Sequence, residues 1–158
     1  MGLMAVTTQA ANNRPFNLSV TTHLGDTQSF LEGDIVSFYI SMDQDAYLTI
    51  LYQDAGGQLS VLLPNSLYPD SFFRAGLFIP IPNEQNPYQF RITAPFGKET
   101  LWVFAADKPI PGITAESTPF SGSIQSVRST FKNLCRQHHA ACEESSLDIK
   151  TTATTPNQ

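Results

Sequence analysis

Charged residues are scarce in this chain. Only 15% of its 158 residues are Asp, Glu, Lys or Arg, too few for the exposed faces of a helix-rich protein, which usually carry Glu and Lys. Basic residues are outnumbered 9 to 14, giving a net charge of −5. That balance excludes nucleic acid as a partner, because phosphates must be met by a basic face. It also excludes a polybasic membrane patch. No apolar run approaches the roughly 18 residues that a spanning helix requires. Residues 1–13 have no basic start and no apolar core, so they do not form an intact signal peptide. No Gly-x-Ser-x-Gly elbow occurs, and Gly56-Gly57 is too short for a phosphate loop. These gaps argue against an enzyme and imply no cofactor.

What the chain does have is Phe, eleven against one Trp. Phe favours pleated, half-buried surfaces. Residues 16–22 alternate apolar and polar, the period-two mark of a strand. Further strand-length runs follow at Phe30-Leu31, 35–42, 46–52, 58–63, 77–82, 88–93, 99–106 and 147–151, with turn residues between them. The run 46–52 is apolar enough to be buried on both faces, and 99–106 carries the strongest strand pattern. Pro80 and Pro82 mark 77–82 as an edge strand, since Pro cannot donate to a ladder. This spacing predicts an all-β fold, an antiparallel, immunoglobulin-like β-sandwich of seven to nine strands. One segment is helical. Ser123 is a fitting N-cap, and Ile124, Val127, Phe131 and Leu134 share one face. The expected division is a flexible arm over 1–14, one sandwich domain over 15–150 with a helix at about 124–139, and a disordered tail over 151–158. Residues 67–76 are expected to form an aromatic loop, and Glu143-Glu144-Ser145-Ser146 a break.

Several blocks recur in order. They are Gly33-Asp34-Ile35-Val36-Ser37-Phe38, then Ala46-Tyr47-Leu48-Thr49-Ile50-Leu51, then Asp54-Ala55-Gly56-Gly57 with Leu63-Pro64-Asn65. Arg74-Ala75-Gly76 before Ile79-Pro80, and Pro95-Phe96-Gly97-Lys98-Glu99 before Asp107-Lys108-Pro109, complete the set. In this order and spacing the run 16–111 resembles the bacterial family labelled domain of unknown function 4384. Ala46 stands where that family usually has Gly, and Leu63 where it has Phe. The resemblance implies a β-sandwich accessory module, found in envelope proteins or attached to kinases and caspase-like peptidases. It supplies no catalytic residues to carry over.

Both cysteines and two of three histidines fall in Cys135-Arg136-Gln137-His138-His139-Ala140-Ala141-Cys142. A disulfide is one reading. Residues seven apart in a continuous helix are about 10.5 Å apart, beyond the roughly 7 Å that a bridge can span. A Cys135–Cys142 bridge therefore requires the helix to end between them. A zinc site of Cys135, His138, His139 and Cys142 is the second reading, with the right donors but a crowded spacing. Unpaired thiols are the third. A disulfide would place the protein outside the cytosol.

Two surfaces are candidates for contact. Arg128, Lys132 and Arg136 recur every fourth residue, either as a solvated helix face or as a dock for an acidic partner. Tyr68, Phe72 and Phe73 either cap the sandwich end or form a binding patch. Asp43 and Asp45 flank a turn, where capping is favoured over calcium. The expected function is a non-catalytic interaction or structural module in a bacterial envelope or secretion-related, membrane-associated complex of other proteins, in the periplasm or cell envelope. A cytoplasmic location is the alternative. The alternative functions are a small-molecule or glycan-binding sandwich, and a metal-binding module built on the Cys/His cluster.

Overall fold

The computed structural model describes residues 17–25, 29–64, 69–82, 89–110 and 123–154. The expected N-terminal arm, Tyr68, the turn at 83–87, the loop at 111–119 and the last four residues lie outside these.

Two sheets face one another. The smaller holds β1 (Leu18–Thr22), β4 (Phe38–Met42) and β8 (Ile79–Ile81), in the order β1-β4-β8. The larger holds β2 (Ser29–Leu31), β11 (Cys142–Thr152), β10 (Lys98–Ala106), β5 (Ala46–Gln53) and β6 (Leu59–Leu63), in that order. β7 (Phe72–Phe73) also pairs with β5. A short ribbon joins β3 (Ile35–Val36) to β9 (Phe90–Arg91). The sandwich expected from the strand spacing is therefore present. Among the described residues, its one departure from antiparallel pairing is β2, which runs parallel to β11. β8 is an edge strand, as Pro80 and Pro82 predict.

Side-chain alternation decides what each face of the large sheet meets. Leu101, Val103 and Ala105 of β10, with Leu48, Ile50 and Tyr52 of β5, pack towards the small sheet against Phe38 and Ile40. The intervening Phe104 and Ala106, with Leu51, pack on the opposite side against α1 (Ile124–Gln137). Central strands covered on both faces are apolar at most positions, which is why 46–52 and 101–106 read as largely apolar runs. The result is three layers: small sheet, large sheet, helix.

The helix begins as expected. Ser123 caps it, its hydroxyl accepting from the Ser126 N–H. Its buried stripe is Ile124, Val127, Phe131 and Cys135, so Cys135 takes the place expected of Leu134, which is only half-buried. The helix stops at Gln137, and His139 turns the chain with φ +54°.

Four expectations are corrected. The break expected at 143–146 is strand: β11 pairs with β10 continuously from Cys142↔Ala106 to Lys150↔Lys98. It also continues to Thr152, past the 150 boundary, with Thr151 buried. Within the expected 67–76 loop, Phe72 and Phe73 are paired strand residues opposite Tyr47 and Ala46. Finally, β8 starts at Ile79, not at Leu77.

Candidate functional site

The turns around the sandwich are held by carboxylates. Asp54 accepts from the Gly56 and Gln58 N–H groups, both at 2.9 Å, while Gly57 supplies the positive φ (+92°) that the β5–β6 hairpin needs. Asp43 and Asp45 reach further than their own turn. Asp43 accepts from the Asn17 N–H at 3.0 Å and from its side-chain amide at 2.8 Å. Asp45 accepts from the Ala75 N–H at 2.8 Å. Both aspartates thus act as structural ties.

Asp45 and its neighbours fix one candidate surface. The Ala75 N–H is held by Asp45, and the Gly76 N–H donates to the Met42 carbonyl at 3.2 Å. The two residues that follow this anchored turn, Leu77 and Phe78, are 63% and 71% exposed. Phe72 is also exposed and stacks on Tyr47 with centroids 4.9 Å apart. Phe73 is instead partly buried against the core. Of the expected aromatic set, then, Phe72 faces outward and Phe73 packs inward. Sequence reasoning missed Leu77 and Phe78 by assigning them to the strand. The signal was three consecutive apolar residues, Leu77-Phe78-Ile79, which cannot all face inward on an edge strand.

The second candidate surface is the end of α1. Cys135 and Cys142 are bridged, with Cα atoms 6.4 Å apart. The bridge is possible because the helix ends between them. Both sulfurs are consumed, so the zinc and free-thiol readings are not what the structure supports. His138 is the helix C-cap and His139 an exposed turn residue. No cluster of three or more metal-type ligands occurs among the described residues.

The basic ridge is not uniform. Arg128 is half-buried. Its guanidinium lies 5.5 Å from the Trp102 ring centroid and holds Glu144 through Nε at 2.6 Å and Nη2 at 2.5 Å. It packs between helix and sheet, so of the three residues read as a solvated face or an acidic dock, Arg128 is already engaged. Lys132 and Arg136 are exposed and line an open groove of about 380 Å³ with Phe131, the disulfide, Ala140, Glu143 and Glu144.

Glu99 also escaped sequence reasoning. It shares the inward parity of Leu101 and Val103, and it is buried. Its carboxyl accepts from the Thr151 hydroxyl at 3.1 Å. Burial raises its pKa above the ordinary carboxylate range, and the Thr151 hydrogen bond offsets part of that rise. A raised folded-state pKa means that the fold prefers the protonated form. That contribution is full below about pH 4, the ordinary glutamate value, and is lost as pH rises through the folded pKa. Glu99→Gln should therefore be the more stable form at pH 7 but not at pH 4. Denaturant unfolding of both proteins across this range checks it, and parallel curves would refute it.

No curated protein and no solved structure matches the chain. The sequence model described as Domain of unknown function (DUF4384) matches residues 29–109, just over half of it. The matched segment runs from β2 through β10 and includes the Ala75-Gly76 turn and Glu99. β1, α1 and β11 lie outside it. On that match the chain belongs to the family of domain of unknown function DUF4384.

Proposed function

We propose that the chain is a non-catalytic protein-interaction module of a bacterial envelope or secretion-associated assembly. One observation carries this. Three of the five exposed large hydrophobic residues among those described, Phe72, Leu77 and Phe78, fall in one seven-residue segment anchored by Asp45 and Met42. Exposed apolar side chains that lie close together in sequence beside a hydrogen-bonded turn favour docking, because the turn's backbone has little ordering entropy left to lose on binding. The Cys135–Cys142 bridge supports an oxidising compartment, since reducing ones do not preserve structural disulfides. Among the described residues no helix is long and apolar enough to cross a membrane.

The test is site-specific photocrosslinking in the native host, with the reactive residue placed at Phe78 and, as control, at the exposed Leu24 in the turn after β1. A discrete adduct at Phe78 and none at Leu24 is the expected result. Phe72→Ala with Phe78→Ala should lower recovery of that partner about tenfold, as for a truncated hot spot of about 1.4 kcal/mol. Equal adducts at both positions would defeat the proposal.

A further inference from the structure

The groove beside the disulfide has an unbalanced rim. Glu144, on one wall, is already neutralised by Arg128. Lys132 and Arg136, on the other, have no carboxylate partner among the described residues. The Arg136 guanidinium donates only to Asn133 Oδ1, at 3.3 Å. Being four residues apart, they stand about 6 Å apart along the helix axis, on one face. Arg136, in the last turn, also complements the helix dipole, but Lys132 lies a turn too early for that. Between the walls lie Phe131, Ala140 and the Cys135–Cys142 bridge. Two unpaired cations above an apolar floor are an unusual local balance in a chain of net charge −5. Glu143 is the one acidic residue of the lining with no ion pair among the described residues, so the rim keeps a positive excess.

We infer that this groove docks an acidic peptide segment of a partner protein. Carboxylates one or two residues apart would meet Lys132 and Arg136. An apolar side chain between them would rest on Phe131 and the disulfide. A volume of about 380 Å³ lies near the lower end for ligand sites, which run from about 300 to 1,000 Å³. It suits one or two side chains of an extended segment. Glu143, the lining carboxylate without an ion pair, would repel a second acidic run, which limits the segment to a short motif. This inference rests on the interaction-module reading and adds to it a second contact site with its own partner chemistry.

The probe is a fluorescein-labelled peptide in which Glu alternates with Leu, read by fluorescence anisotropy with the intact disulfide-bonded protein. Controls replace every Glu with Gln, every Glu with Lys, or every Leu with Ser. Saturable binding is expected, weakened at least about tenfold by each control. Lys132→Glu with Arg136→Glu should cause a similar loss. Both positions are exposed, and an unchanged circular dichroism spectrum would show that the variant is folded. Backbone NMR shifts on titration should centre on residues 132–142. No saturation by about 1 mM, equal binding of the Glu and Gln peptides, or indifference to charge reversal would overturn the inference. Free glutamate competing as well as the peptide would overturn it too. Failure here with the Phe78 adduct intact removes only this site. Loss of the Phe78 adduct with peptide binding intact removes only the aromatic surface.

Discussion

Phe104→Ala is expected to lower the unfolding free energy by about 3–5 kcal/mol, the range for deleting a fully buried aromatic ring. Phe104 is 1% exposed and lies in β10, between β5 and β11. Its ring sits 5.0 Å from that of Phe131, tilted by 52°, within the range for favourable aromatic pairs. Leu51, Val127 and Cys135 belong to the same cluster. This side chain packs between sheet and helix, and backbone pairing on both flanks of β10 prevents the cavity from collapsing. The same truncation at exposed Phe78 should shift stability by no more than about 0.5 kcal/mol. Denaturant unfolding of both variants measures the contrast. Combining Phe104→Ala with Phe131→Ala should cost less than the two single changes summed, since neighbouring rings share one contact. A loss below about 1 kcal/mol at Phe104 would mean that α1 does not cover this face.

That layer was half-legible in the sequence. The apolar run at 46–52 announces a strand buried twice over, 99–106 announces a strand, and the 3.6-residue stripe from Ile124 to Leu134 announces a helix with something to cover. Each was readable because burial imposes a period on its own residues. β11 was not readable at its start, where Glu143-Glu144-Ser145-Ser146 carries no apolar period. Its strand conformation comes from a partner: the β10 ladder supplies the hydrogen bonds, and Arg128, sixteen residues back, neutralises Glu144. Long-range pairing of this kind leaves no local mark. The candidate sites divide the same way. The spacing of Cys135 and Cys142 limited the options to three, and the helix end decided among them. The exposure of Leu77 and Phe78 depends on where β8 begins, which the ladder to β4 sets.

Removing the disulfide, as Cys135→Ser with Cys142→Ser, should cost about 2–2.5 kcal/mol without unfolding the protein. The bridge closes a loop of eight residues, since the cysteines are seven apart in sequence, and a loop of that size restricts the unfolded chain by about 2.5 kcal/mol. The native turn has other supports. The Ala140 N–H donates to the Cys135 carbonyl at 2.9 Å, and Lys108 Nζ to the His139 carbonyl at 3.0 Å. Asp107 exchanges two bonds with Ala141, at 3.0 and 2.9 Å. Asp107 and Lys108 belong to the family-matched segment, whereas the cysteines do not. The matched part of the chain therefore already positions the turn, and the bridge adds an entropic lock on α1 and β11. Unfolding midpoints should fall in the double variant, with the folded-state spectra retained. Loss of the folded state altogether would show that these hydrogen bonds do not hold the turn alone. The same bridge tests the compartment: rapid alkylation of intact cells followed by denaturation should find neither thiol reactive. Two alkylated cysteines would refute the proposed envelope location and leave the stability prediction standing, because the lock acts on the unfolded chain wherever it is oxidised.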